Sequence, residues 1–174
     1  MIGDLVRIVA DWLEDGTHGV GAMLANVPRD VGDALPATPT VIEETANPRL
    51  GRGRLPETTM PYLAVTAEAV TAIDAEVVTD DGYFSAAVRI QYVGKDDDAA
   101  GVKRDGGYTL RAVVWSLRRL MRQDAGAAGR QRNSIALVRL GPITVEPWQE
   151  DLNDGTVIGG LVLQCPAVRD FYTL

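Results

Sequence analysis

With one cysteine, one histidine and no long apolar run, this chain leaves several classes of function closed to it. A lone cysteine cannot form an internal disulfide, which excludes the stapled scaffolds typical of small secreted domains. Cys165 falls in the strand-like stretch 157–166 among apolar neighbours, where a small buried hydrophobe is expected rather than a reactive thiol. His18 has no second histidine, cysteine or close carboxylate at ligand spacing, so neither a metal site nor a cofactor is expected. No apolar stretch reaches the roughly 18 residues that a membrane-spanning helix requires. Asp4, Arg7 and Asp11 interrupt the N-terminal pattern where a signal peptide would carry its apolar core. The expectation is a soluble, unexported protein with no membrane partner.

Catalytic groupings are equally scarce. General acid–base chemistry needs ionisable groups held in a shielded place, but Asp80-Asp81, Asp96-Asp97-Asp98 and Glu150-Asp151 all sit in turn-rich, hydrated sequence. Gly51-Arg52-Gly53 and Gly159-Gly160 are too short for a phosphate cradle, which needs a third glycine at a helix start after a strand. Ser85, Ser116 and Ser134 have no nucleophile-elbow context, and a triad would have to recruit the only histidine. No catalytic residue is assigned, and the chain reads as something other than an enzyme.

What is present is enough apolar material for a core. At 174 residues and 46% hydrophobic the chain fits one domain spanning 1–174. In residues 2–13, Ile2, Leu5, Val6, Val9, Trp12 and Leu13 recur at helical spacing, with Asp4, Arg7, Asp11 and Glu14 on the other side. Gly16 is a natural stop, and Val20, Met23, Leu24 and Val27 suggest a short further helix ending before Pro28. Six of the nine prolines then fall within residues 28–61, with Gly32, Gly51 and Gly53 among them. A long loop or arm is expected there, because ordinary connections are only a handful of residues. Val41 and Ile42 could dock it on its own chain or a neighbour, and Arg49, Arg52 and Arg54 make its end basic.

From Pro61 the period changes to two. Tyr62, Ala64 and Thr66 alternate with Leu63, Val65 and Ala67; a shorter strand is expected near 72–78; and Thr79-Asp80-Asp81-Gly82 marks a turn. In residues 83–93, Phe84, Ala86, Val88, Ile90 and Tyr92 share one face. A second main helix is expected over 107–124, where Leu110, Val113, Val114, Leu117, Leu120 and Met121 define an inner side. Arg111, Trp115, Arg118, Arg119 and Arg122 share the opposite side, so an indole stands among guanidinium groups, a composition favoured at protein contacts. The competing explanation is that Trp115 lies under a loop of its own subunit. Residues 134–145 and 156–165 read as a closing strand pair joined by an acidic turn, the first of them bent or at an edge because of Pro142 and Pro147. The fold class expected is α+β: a mostly antiparallel sheet of four to five strands, with two main amphipathic helices packed on one face and a long proline-rich loop.

The charge is unevenly spread. From Lys103 to Arg139 nine Lys/Arg face only Asp105 and Asp124, a balance of +7 inside a chain of net charge −7. A two-signed molecule can attract copies of itself, basic region to acidic region. Nucleic acid is the other partner that arginines suggest, yet a pI near 4.7 and the lack of any helix-turn-helix, finger or RNP-like motif weigh against a dedicated binder. Transient contact with DNA passing through an assembled pore is the nucleic-acid role that remains.

Taken in order, the N-terminal helix, the loop, Pro-Tyr-Leu-Ala-Val-Thr at 61–66, the alternating strands, Gly-Tyr-Thr-Leu-Arg-Ala-Val at 107–113 and the terminal strand pair resemble the tail terminator (tail completion, or minor tail) proteins of long-tailed, siphovirus-type bacteriophages. The resemblance spans nearly the whole chain and rests on element order; the long 28–61 insertion and the arginine-rich second helix depart from the family pattern. It implies a virion protein of the tail or neck, assembled in the host cytoplasm. Six copies would form a ring on the last turn of the tail tube, binding the tail tube protein on one side and the head–tail connector protein on the other. Arg111, Trp115, Arg118, Arg119 and Arg122, with Arg49, Arg52 and Arg54, would supply the assembly interface. Other head–tail joining proteins (stopper or adaptor) and tail-tube subunits share this general texture, and a small cytoplasmic enzyme or ligand-binding domain is the alternative from another class.

Overall fold

The computed structural model describes residues 2–27, 37–44, 60–72, 82–95, 102–122, 131–132, 135–137, 142–147, 149–151 and 156–169. They form an α+β arrangement of three helices and one mixed, mostly antiparallel sheet. The helices are α1 (Ile2–Leu13), α2 (Val20–Leu24) and α3 (Val102–Arg122). The strands are β1 (Thr40–Glu44), β2 (Tyr62–Ala72), β3 (Gly82–Lys95), β4 (Gln131–Arg132), β5 (Ile135–Leu137), β6 (Ile143–Val145), β7 (Gln149–Asp151) and β8 (Thr156–Arg169).

The sheet runs β1-β2-β3-β8-β5-β4, with β6 and β7 also paired to β8. Its backbone is the β3–β8 ladder, which stays in register from Gly82 opposite Arg169 to Lys95 opposite Thr156. β5, β6 and β7 lie one after another along the other edge of β8. The eight strand segments therefore occupy five long lanes, plus the two-residue β4. The interruptions in the edge lane have a cause. Between Leu137 opposite Ala167 and Ile143 opposite Leu163 the edge lane advances six residues while β8 advances four. Pro142 and Pro147 flank β6, where a residue without an N–H cannot continue the ladder.

Alternation sets the core. Leu63, Val65, Ala86, Val88, Ile90, Tyr92, Leu161, Leu163, Cys165 and Ala167 are buried against Leu5, Val6, Val9, Trp12 and Leu13 of α1 and Val113, Leu117 and Leu120 of α3. On the sheet's second face Tyr62, Ala64 and Val93 form a smaller cluster with Ile42, Met60 and Ile158. Also on that face, the Arg89 guanidinium reaches Glu146 at 2.7 Å. Gly160 lies beneath this pair: a Cβ there would stand 2.9 Å from a Glu146 carboxylate oxygen and 3.0 Å from the carbonyl oxygen of Ile90.

Several expectations need correction. The 28–61 span is not loop throughout, because Thr40–Glu44 form β1, paired parallel with β2 from Thr40 opposite Tyr62 to Glu44 opposite Thr66. β-Branched Thr40, Val41 and Ile42 favour an extended backbone, and a parallel neighbour needs the long connection that the intervening residues provide. β2 runs past the alternating 62–67 stretch to Ala72, with a register shift between Ala67 and Ala69 that marks a bulge. The rest of the expected 72–78 strand, and the 79–81 turn, lie outside the described residues. α3 begins at Val102 rather than 107 and ends at Arg122. Gly106-Gly107 resembles a helix start, but two glycines cost only about 1 kcal/mol each relative to alanine and packing of the following turns carries the helix through them.

Candidate assembly surface

α1 and α2 meet at a tight corner that determines where α2 lies. The Asp15 carboxylate accepts from the backbone N–H groups of Thr17 at 2.8 Å and His18 at 2.7 Å, and Gly19 N–H donates to the Asp15 carbonyl at 2.8 Å. A Cβ on Gly19 would lie 2.4 Å from the carbonyl oxygens of Leu13 and Asp15, so the close approach requires glycine. His18 is thus a turn residue beside Asp15, with its ring 3.5 Å from that carboxylate. The corner delivers α2 onto α3, burying Val20, Met23 and Leu24.

The second half of α3 presents the sequence-derived cluster. Thr109, Ala112, Val113, Ser116, Leu117 and Leu120 turn inward, while Arg111, Trp115, Arg118, Arg119 and Arg122 are exposed. Trp115 keeps 38% of its surface open to solvent and is one of only two large hydrophobic side chains so exposed among the described residues. Trp115, Arg118, Arg119 and Arg122 line an open groove of about 570 Å³ together with Met23 of α2 and Asn26, two residues beyond the end of that helix. The Asn26 side chain is held there by donating to the Ala22 carbonyl at 3.2 Å.

Met23 and Asn26 were not legible as part of this surface. Met23 appears in the sequence only as an apolar residue of a short helix, and no local pattern says which helix it meets. Arg49, Arg52 and Arg54 lie outside the described residues, as do the acidic turns at 80–81 and 96–98. Arg111 is exposed on α3 but does not line the groove.

Charges elsewhere are handled differently. Arg7 on α1 contacts Asp11 at 2.6 Å and Glu14 at 3.9 Å, and also pairs with Glu43 of β1. Arg132 of β4 reaches Asp4 at 3.8 Å and Asp11 at 3.7 Å. β1 and β4 end the sheet on its two sides, so α1 is tied by ion pairs to both edges. Arg118, Arg119 and Arg122, by contrast, have no carboxylate partner among the described residues.

Cys165 is fully buried, its thiol pushed up to about 12 from 9.0 by loss of solvation. Among the described residues no group of His, Cys, Asp and Glu is placed to hold a metal ion, and no helix is long and apolar enough to cross a membrane. Comparison with known proteins gives no match to a family model and none to a curated protein. The functional reading therefore rests on the groove and on the order of elements.

Proposed function

We propose that this chain is a structural virion subunit that assembles into a ring at the end of a phage tail tube, in the manner of the tail terminators its element order resembles. The observation that carries this reading is the α2–α3 groove: an exposed indole and three arginines without carboxylate partners among the described residues, on a helix that buries Ala112, Val113, Leu117 and Leu120 on its inner side. A partly desolvated Trp flanked by Arg is the composition of interface hot spots, where truncation typically costs about 2 kcal/mol or more. In the proposal, two amphipathic helices back the sheet and leave α3's outer side for a partner. Arg49, Arg52 and Arg54, outside the described residues, add basic side chains to the proposed contact. The ring then joins the tail tube protein to the head-side connector.

The breadth of the sheet favours a tail-tube subunit as the second reading, since a tube needs a β-rich body that stacks on itself. The assembly product separates the two. Purified chain added to growing tail tubes and imaged by electron microscopy should give a single ring at one tube end and should halt elongation. Long tubes of this chain alone would establish the second reading, and no binding to tubes together with no self-association would remove both.

A further inference from the structure

We propose that successive copies of this chain pair edge to edge, the outer edge of β1 in one copy adding to the outer edge of β6 in the next, so that the sheet continues from subunit to subunit. The inference rests on the ring-forming reading and names the backbone contact that joins its members.

Hydrogen bonds within the sheet fix which backbone groups each edge leaves over. Thr40 N–H donates to the Pro61 carbonyl at 3.1 Å, so Thr40, Ile42 and Glu44 bond toward β2. The N–H and C=O groups of Val41 and Glu43 point the other way, out of the sheet. On the far side, Gln164 N–H donates to the Pro142 carbonyl at 3.3 Å and Glu146 N–H to the Gly160 carbonyl at 2.8 Å, which turns Pro142, Thr144 and Glu146 toward β8. The backbone groups of Ile143 and Val145 therefore point outward. Among the described residues no strand pairs with the outer side of β1 or of β6. A row of unpaired N–H and C=O groups on a sheet edge is a template for a further strand.

The two edges match in direction, face and spacing. β1 is parallel to β2, and every step from β2 through β3 and β8 to β6 is antiparallel, so β1 and β6 run in opposite directions. A neighbour set beside the first copy in the same orientation meets it through an antiparallel pair. Val41 and Ile143 both pack against the main core, and Glu43 pairs with Arg7 of α1, so the outward-bonding residues of both edges carry their side chains on the helix-covered face. Val145, 61% exposed, shares that face with Ile143 and gains Val41 as its cross-strand neighbour. Setting Val41 opposite Val145 and Glu43 opposite Ile143 makes two pairs that each exchange both backbone hydrogen bonds. Across one subunit Val145 is level with Leu161, Ile90, Val65 and Glu43, so this register staggers neighbouring copies by two residues, roughly 7 Å. The unstaggered register sets Pro147, which has no N–H, opposite Val41. Closing a sheet on itself requires such a stagger. Pairing like edges makes a two-fold contact, whereas unlike edges make the heterologous contact that closes into a ring when the rotation between copies allows.

The test is disulfide trapping in the full-length chain, whose only native cysteine, Cys165, is buried and does not compete. Directly opposed residues of such a pair have Cα atoms about 5.5 Å apart, within disulfide reach. The double variant Val41→Cys/Val145→Cys, mildly oxidised at concentrations where the wild type associates, should give a ladder of covalent dimers, trimers and larger species on a non-reducing gel. Either single variant should stay monomeric on the same gel. Covalent dimers from a single variant would overturn the proposal, because like edges would then be meeting. Association of the double variant in sedimentation velocity without any cross-link would also overturn it, while leaving the ring reading intact. Val41 is half-buried, so a second arm leaves it untouched: Val145→Pro removes the outward N–H and keeps the inward bonds of Thr144 and Glu146. That variant, with folding verified by thermal unfolding, should need about tenfold or more higher concentration to self-associate, whereas Val145→Thr, which keeps the N–H, should associate far more readily than the proline variant. Wild-type association of Val145→Pro would overturn the edge contact. A wild type that neither self-associates nor binds tube ends would remove the ring reading and this contact with it.

Discussion

α1 and α3 bury apolar residues in the same core yet dispose of their charges in opposite ways. Arg7 of α1 is surrounded by Asp11, Glu14 and Glu43, and Asp4 and Asp11 are approached by Arg132. Arg118, Arg119 and Arg122 of α3 line a groove with no carboxylate in it among the described residues. The tryptophans of these two helices show the same division: Trp12 of α1 is 1% exposed and Trp115 of α3 is 38% exposed. The polar residues of α1 thus tie the sheet edges together, whereas Arg118, Arg119 and Arg122 of α3 have no carboxylate partner among the described residues.

The largest expected effect breaks the comparison at its tryptophans. Trp12→Ala should lose about 3–5 kcal/mol in denaturant unfolding, the cost of emptying a packed site, while Trp115→Ala should lose less than about 1 kcal/mol. The order should invert for assembly, where Trp115→Ala weakens self-association by roughly 2 kcal/mol, about thirtyfold in concentration. Equal destabilisation by the two substitutions would place Trp115 in the subunit's own core.

A second test concerns the arginines. Arg7→Ala should lower stability by about 1 kcal/mol, since it is partly exposed but engages three carboxylates. Arg118→Ala should leave stability within about 0.5 kcal/mol. Raising salt to about 0.5 M should weaken assembly of the wild type with little change in melting temperature, because contacts between exposed charges are screened most.

Cys165 sharpens the distinction between core and surface. A native thiol raised by burial from 9.0 to about 12 holds its proton more tightly than the unfolded chain does. Its contribution to stability is therefore complete below 9.0 and is lost as pH rises from there toward about 12. Alkylation at about pH 8 should be slow for the folded chain and fast in denaturant, by mass spectrometry; rapid labelling of the native protein would contradict the burial.

Local periodicity made much of this architecture legible. α1 coincides with its expected bounds of 2–13 because six apolar residues at helical spacing leave no competing period. The inner face of β3 follows from plain alternation. β1 was hidden because proline-rich flanks mask a five-residue strand whose partner begins at Tyr62. The start of α3 was hidden by paired glycines, which signal a boundary unless tertiary packing overrides them. At the candidate site, Trp115 and its arginines could be read from one helix. The α2 wall of the groove and the link from Arg7 to Glu43 join residues distant in sequence and became visible only on folding.

In the proposed ring, another subunit covers the outer side of α3. Oxidative footprinting read by mass spectrometry, across concentrations spanning the onset of self-association, tests it directly. Trp115 should be oxidised readily in dilute monomer and protected once copies associate, with Trp12 protected throughout. Equal oxidation of Trp115 before and after association would contradict it.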